Sequence, residues 1–385
     1  MKKVGFIPLR KGSKGIPGKN KRKMLGRPLF SWVLAEAVFS DLDIVYVYTD
    51  DNDILNFIDK EYVWTNKIKV LERSPESATD KASTEMAMLE LCEKINYDFD
   101  IFCLLQATTP QTKANHINQC LSELQSSKLK SSVSVVKTHR FTWNADGTAS
   151  NYDVFNRPRR QEFEGLRIEN GAIYCTEKSI LKHKKNRLDE QSVLVEMPEN
   201  TLQEIDSEND WTIVEQLLSQ RLQQQKTNKK IKYLVLDVDG VFTDAKIHFS
   251  KDGELSKQFD MQDGMGLEIL REHQVQVMVM TSEESELVAQ RMKKLKIKDV
   301  YLGVKDKYAR LQFLAKQKNI DLNEIAYVGD DINDLANICA VGWSLCPKNA
   351  LPLIKKHADV ILPSDSGNKA IRSACEFITQ YNLRF

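Results

Sequence analysis

The stretch Ile231–Asp244, IKYLVLDVDGVFTD, drives an apolar run into two aspartates spaced two apart, and the reading of the fold starts there. A short apolar run closed by Asp and Gly has the pattern of a strand buried on both faces. It predicts Asp237 at the carboxyl end of that strand, with Asp239 two residues beyond. Open α/β sheets gather ligands at strand carboxyl ends, so both carboxylates are placed for chemistry. An Asp can attack phosphorus when a divalent cation cancels the repulsion between carboxylate and phosphate. A second Asp can protonate the leaving alkoxide and later deprotonate the hydrolytic water.

Downstream, the same arrangement recurs. VMVMTS puts Thr281 at the end of the next apolar run, VKDKYA supplies Lys307, and AYVGDDINDL supplies Asp330, Asp331 and Asp334. Helical patterns read from Glu284, Lys305 and Asp331 separate these runs, which implies βα units, a mostly parallel sheet and one crevice at four strand ends. Between Asp237 and a helix read near Asp263 there is room for a hairpin but not for a further domain. The segment AKIHFSKDGELSKQF has the strand, turn and strand pattern of such a hairpin.

Upstream, DWTIVEQLLSQRLQQQK reads as a helix that runs into QQQKTNKK, polar and without large apolar residues. That marks a boundary, giving a first domain over 1–225, a linker over 226–230 and a second domain over 231–385. The first half alternates KVGFIP, PLFSWVLAEAVF, DIVYVY, a helix from Asp51, TEMAMLELCEKI and DIFCLLQ, again βα units. The expected fold class is α/β with two Rossmann-like domains.

The chain has 55 Lys and Arg against 54 Asp and Glu, so no global field draws it to nucleic acid or to anionic lipid. No apolar run reaches the roughly 18 to 20 residues of a membrane span, and the start MKKVGFIPLRKGSK has too short an apolar core for a signal peptide. The seven cysteines are scattered and lack a CxxC pair, which suits reduced thiols and a cytoplasmic location. Against that neutral background, Met1–Arg27 holds ten basic residues and no acid, an asymmetry that asks for an anionic ligand.

Within that region, LRKGSKGIPGKN follows a buried-type strand. Gly12 and Gly15 let backbone amides approach phosphate oxygens, Ser13 adds a hydroxyl, and Arg10 and Lys14 add charge. The spacing is not that of a Walker A loop, which needs Gly where Ser13 stands and Ser or Thr where Asn20 stands. Later, IDSEND sets Asp206 and Glu208 two apart; on an extended segment both would face one hard cation, whereas as a polar turn before a helix they would not.

The blocks IPLRKGSKGIPGKN, RSPESATDKAST, LLQATTP, RPRRQEFEGLRIENGAIY and EIDSENDW, in this order, resemble the acylneuraminate cytidylyltransferases. The resemblance implies a nucleotidyltransferase that joins CTP to a nine-carbon 2-keto sugar acid and releases pyrophosphate. It implies Arg10, Ser13, Lys14 and Asn20 on the phosphates and Arg73 and Thr84 near the nucleoside. Its sugar-binding residues fall on Gln106, Arg157, Arg160, Gln161 and Asn170, and its Mg²⁺ ligands on Asp206 and Glu208. The family usually carries two Asp residues at this last pair, so the longer Glu208 requires the metal to shift or the carboxylate to act through water. The group that takes the sugar hydroxyl's proton is unassigned, a metal-bound hydroxide being one candidate.

The second half, through DVDGVFTD, SKQFDMQDGMGLEIL, VYLGVKDK and GDDINDL, resembles the haloacid dehalogenase superfamily and its small 3-deoxy-octulosonate 8-phosphate phosphatases. This implies a capless phosphatase in which Asp237 is nucleophile, Asp239 acid and base, and Thr281 and Lys307 phosphate ligands. Asp330 would bind Mg²⁺ with the carboxylate of Asp237 and the carbonyl of Asp239, while Asp331 and Asp334 orient water or Lys307. The family's frequent TGR is TSE here, so Glu283 replaces a base. Capless relatives form tetramers, which implies a homotetramer through this domain. Together the two resemblances imply a bifunctional enzyme that removes the 9-phosphate of an acylneuraminate and couples the product to CMP. The rival is a synthetase for an octulosonate, legionaminate or pseudaminate whose second domain serves assembly.

Overall fold

A computed structural model of the chain describes residues 1–385 except Lys14 and Asp252. Its contacts divide into two units, Met1–Lys23 with Pro28–Leu218 and Met24–Arg27 with Ser219–Phe385. In chain order the first part carries β1 (Lys3–Leu9), the two-residue strands β2 (Lys23–Met24) and β3 (Arg27–Pro28), α1 (Leu29–Phe39), β4 (Ile44–Thr49), α2 (Asn52–Glu61), β5 (Ile68–Glu72), α3 (Thr84–Lys94) and β6 (Ile101–Leu105). There follow α4 (Ala114–Ser126), β7 (Ser131–Thr138), β8 (Leu166–Glu177), α5 (Lys178–His183), β9 (Val193–Glu196) and α6 (Glu208–Gln223).

The sheet of the first unit has the order β5-β4-β1-β6-β8-β7-β9. Strands β5, β4, β1 and β6 run parallel, as the βα alternation requires, whereas β8 pairs antiparallel with both β6 and β7. Strands β7 and β9 also pair parallel, so the sheet is mostly parallel, as expected, and wholly so in the half that carries the glycine-containing loop. Helix α1 is buried on nearly every side, with Leu29, Phe30, Trp32, Val33 and Leu34 all enclosed, the behaviour of a helix that is apolar all round. On one face of the sheet Phe102 is fully enclosed between Phe6 and Phe99, at ring-centroid distances of 5.3 and 5.4 Å.

The second unit contains β10 (Tyr233–Leu236), β11 (His248–Ser250), β12 (Gly253–Ser256), α7 (Met261–Glu272), β13 (Gln276–Met280), α8 (Glu286–Lys294), β14 (Asp299–Tyr301) and α9 (Lys307–Lys318). It continues through β15 (Ile325–Val328), a 3-10 turn (Ile332–Asp334), α10 (Leu335–Ala340), β16 (Trp343–Cys346), α11 (Pro352–His357), β17 (Val360–Ile361) and α12 (Ala370–Asn382). Its six strands are all parallel, in the order β14-β13-β10-β15-β16-β17. Leu236 sits in register with Val279 and Val328, so the residues that follow these three strands emerge side by side. The insertion after β10 is the antiparallel hairpin β11–β12.

Helices α8 and α9 begin two residues after the positions read from periodicity, because the polar residue just before each start acts as a cap. Ser285 accepts from the Val288 amide and Asp306 from the Ala309 amide, so α8 and α9 start at Glu286 and Lys307. Asp331 likewise caps the 3-10 turn instead of opening a helix. The contact boundary between units falls inside α6, between Leu218 and Ser219. Replacing Phe102 by Ala should cost about 3–5 kcal/mol, read as a lower denaturant midpoint for the first unit's transition with the second unit's unchanged.

Candidate active sites

In the first unit, β1 delivers the chain into the loop at Arg10. The Asn20 Nδ2 donates to the Arg10 carbonyl at 3.1 Å and closes that loop. Lys19 Nζ donates to the Ile205 carbonyl at 2.7 Å and to Asp206 Oδ1 at 3.2 Å, tying the loop to the IDSEND segment. A Cβ on Gly15 would lie 2.1 Å from the Asp206 carbonyl oxygen, so this approach admits only glycine. A pocket of about 260 Å³ lies against the loop and is lined by Arg10, Ser13, Asn20, Arg73, Thr84 and Gln106.

Each of these is held differently. Arg73 follows β5, is buried, and donates to the Ser77 carbonyl; burial is the main force that lowers its pKa. Arg10 pairs with Asp80 at 2.5 Å, and Thr84 opens α3 behind the Ser83 cap. Asp80 and Lys19 also line the pocket and were not singled out from sequence, although Lys19 sits beside Asn20 in the loop string. Lys14 lies outside the described residues.

Four of the five residues expected to hold a sugar are not in that pocket's lining. Arg157, Arg160 and Gln161 are exposed in the connection between β7 and β8, where the Arg157 guanidinium lies 4.4 Å over the Phe141 ring. Asn170 is fully buried, its Oδ1 accepting from Ser134 Oγ at 2.7 Å and its Nδ2 donating to Thr201 Oγ1 at 3.0 Å. Of these five, Gln106 alone lines the pocket, directly after β6. The extended-segment reading of IDSEND also differs from the structure: Glu208 is the first residue of α6. Asp206 faces Lys19, while Glu208 pairs with Arg22 at 2.5 Å, so each of the two carboxylates meets a cation of its own.

In the second unit the expected groups do converge. Lys307, the first residue of α9 and fully buried, bridges Asp237 Oδ1 at 2.8 Å and Asp334 Oδ1 at 2.7 Å. Tyr327, on β15 and enclosed, donates its hydroxyl to the same Asp334 oxygen at 2.7 Å. The other Asp334 oxygen accepts from the Asp330 amide at 3.1 Å. Asp237, Asp330 and Asp334 each bring an oxygen within 4.8 Å of the others. Gly240, at φ +86°, lets the loop pass: a Cβ there would lie 1.9 Å from Asp330 Oδ2. Thr281 directly follows β13 and is buried, its amide donating to the Tyr301 carbonyl at 3.0 Å.

The chain matches a family model described as Cytidylyltransferase over residues 4–234 and one described as haloacid dehalogenase-like hydrolase over residues 162–373. It belongs to the cytidylyltransferase family, with a C-terminal haloacid dehalogenase-like hydrolase domain. This cytidylyltransferase-family chain is 30% identical to the N-acylneuraminate cytidylyltransferase of Oncorhynchus mykiss over 97% of its own length and 88% of the relative. It is 34% identical to the 3-deoxy-D-manno-octulosonate 8-phosphate phosphatase of Haemophilus influenzae over 40% of its length and 87% of the relative. A crystal structure of such a phosphatase from Moraxella catarrhalis, in complex with magnesium ion, phosphate ion and a KDO molecule, matches 44% of this chain and 93% of that chain at 31% identity and a TM-score of 0.39. Among the described residues of this cytidylyltransferase-family member, no helix is long and apolar enough to cross a membrane.

The electrostatics of the hydrolase domain in this cytidylyltransferase-family chain ask for a cation. Burial, then Asp334 and Asp237, push Asp330 up to about 8. Burial, then Asp334, raises Asp237 as well, and Lys307 only partly offsets it. Burial works against the charge on Lys307, yet Asp237 and Asp334 raise its pKa. Asp330 Oδ1 is buried without a hydrogen-bond partner. Hard oxygen donors, a surplus of negative charge and an orphaned carboxylate oxygen fit a divalent cation.

These shifts set a sign for stability. Asp330 has a folded pKa of about 8, well above an unfolded value of roughly 4. Its stabilising contribution is therefore complete below about pH 4 and lost as pH rises to about 8. In chelator at pH 8, Asp330→Asn should stabilise the hydrolase domain by on the order of 1–3 kcal/mol, and the gain should shrink toward pH 5. Thermal melts across that range check it.

Proposed function

We propose that the chain is a bifunctional enzyme: a CTP-dependent synthetase for an acylneuraminate, and a phosphatase for the corresponding 9-phosphate. The cytidylyltransferase domain would span 1–225 and the phosphatase domain 231–385, with 226–230 as a polar linker. The observation that carries the phosphatase half is Lys307 bridging Asp237 and Asp334 beside Asp330, a charge set aimed at a phosphate dianion and a cation. An assembly-only domain has no use for a buried lysine shared by two carboxylates.

Asp237, Asp330 and the Asp239 carbonyl would hold Mg²⁺, which when bound supplies the positive charge that lets carboxylate and phosphate meet. A carboxylate oxygen of Asp237 forms a bond to phosphorus as the bond to the sugar oxygen breaks, and Asp239 gives its proton to that oxygen. Thr281 Oγ and Lys307 Nζ hold the phosphate oxygens. Asp239 then takes a proton from water, whose oxygen attacks phosphorus and returns Asp237 to a carboxylate with release of inorganic phosphate.

In the first unit the reading rests on the pocket beside the glycine-containing loop. Arg10, Ser13 and Asn20 would engage the triphosphate, Arg73 and Thr84 the nucleoside, and Gln106 the sugar acid, with Lys19 added to the phosphate set. Arg157, Arg160 and Gln161 would reach the sugar acid from the exposed connection between β7 and β8, and buried Asn170 would act through Ser134 and Thr201. Asp206 and Glu208 would hold the Mg²⁺ of this half by exchanging Lys19 and Arg22 for it.

Asp237→Asn should abolish phosphate release from N-acetylneuraminate 9-phosphate and leave CTP-dependent pyrophosphate release within about 2-fold, since it removes the nucleophile of one domain only. Loss of both activities in a folded protein would sink the two-site assignment.

A homotetramer through the second unit is also proposed. It is supported by Phe249 and Leu255 on the hairpin and by Met261 and Met265 at the start of α7, all more than half exposed. Phe249→Asp with Leu255→Asp should lower the assembly state seen by sedimentation equilibrium; an unchanged mass would place the contact elsewhere.

A further inference from the structure

The hairpin after β10 ends in a buried charge that the phosphatase scheme does not use. Lys257 directly follows β12, and its side chain is wholly shielded from solvent. Its Nζ donates to both oxygens of Asp239, at 2.8 and 3.0 Å, and lies 3.4 Å from Glu254 Oε1. Glu254 in turn accepts through Oε2 from Ser285 Oγ, the residue that caps α8 just beyond Thr281. The hairpin base is thus anchored to the loops after β10 and β13 together. Two residues on, Phe259 packs against the core of the second unit, so alternate residues of this extended exit face inward and hold Lys257 in place.

Burying an ammonium is costly unless partners meet its protons, and here two carboxylates do so. The geometry does more than neutralise it. A lone aspartate can turn about χ1 and χ2, whereas an ammonium seated on both oxygens fixes the carboxylate plane. Among the described residues, the other side-chain hydrogen bond of Asp239 is a long one, accepted from Thr243 Oγ1 at 3.4 Å.

Resting on the phosphatase reading, we propose that Lys257 is a positioning residue that fixes Asp239 for proton transfer to the leaving oxygen, a task the hairpin performs with no cap domain to do it. Proton transfer demands hydrogen-bond reach in the transition state, so an aspartate free to swing loses turnover without losing substrate binding.

A leaving group that needs no proton separates this role from simple support of the hairpin. In the full-length protein, Lys257→Met should lower kcat for N-acetylneuraminate 9-phosphate by about 10–100-fold, with KM within about 3-fold. The initial burst of nitrophenolate from p-nitrophenyl phosphate should slow by less than about 3-fold, because nitrophenolate departs unprotonated. CTP-dependent pyrophosphate release by the same sample serves as the folding control. Should Lys257→Met unfold the second unit, Lys257→Arg, which keeps the charge but alters its seat on Asp239, is read in the same two assays. Equal losses on both phosphate esters, or no loss on either, would overturn the positioning role while leaving the phosphatase reading intact. Wild-type protein that releases phosphate from neither ester would overturn that reading, and the positioning role with it.

Discussion

Three carboxylates within 4.8 Å of one another, Asp237 and Asp334 buried and Asp330 half-buried, are with the buried Lys307 the constraint around which the second unit is built. Such a group is unstable alone, since burial and mutual repulsion both oppose its charge. The fold makes it tolerable through fixed partners. Lys307 is held at the first position of α9 by the Asp306 cap, and Asp334 accepts from a tyrosine hydroxyl, a lysine and a backbone amide. The parallel register of β13, β10 and β15 then brings the chain segments together without a long loop. What is left over, seen as a raised Asp330 and an orphaned oxygen, is what a divalent cation would relieve.

The first unit solves a related problem with opposite charge. Its loop is basic, and the structure spreads its cations over several acids: Arg10 to Asp80, Lys19 to Asp206, Arg22 to Glu208. These pairs lie at partly exposed positions, where each is worth little in stability. Their consequence is conformational. The loop is braced against the segment around Asp206 by Lys19 and by the glycine contact at Gly15, and the pocket lies against it. An arriving polyanion would compete with Asp80 and Asp206 for partners already gathered.

How much of this was legible in the sequence differs between the units. In the second, each chemical group stands at the end of an apolar run, and a strand end is a local feature that periodicity reveals. Asp237, Lys307 and Asp330 are therefore legible as neighbours, and Asp334, expected to orient water or Lys307, contacts Lys307 at 2.7 Å. In the first unit, the glycine-containing loop, Arg73, Thr84 and Gln106 meet at one pocket. Arg157, Arg160 and Gln161 belong to a long connection without a strand to aim them, and Asn170 lies on a strand whose pairing turns its amide toward Ser134 and Thr201. Motif order carries no information about which way such a side chain points.

The sequence by itself determined the two α/β units, the parallel strands at their centres and, in the second unit, the aspartates that follow those strands, because apolar runs, caps and turn residues act over a few neighbours. It also determined that only a hairpin could follow β10, a matter of length. Tertiary structure alone decided which charges meet. Tyr327 reaches Asp334 across a strand end, Lys257 reaches Asp239 from eighteen residues away, and Asp206 and Glu208 face separate cations because a helix begins at Glu208. The physical reason is the same in each case: hydrogen bonds and ion pairs depend on distance and direction in space, and those are set by packing, not by spacing along the chain.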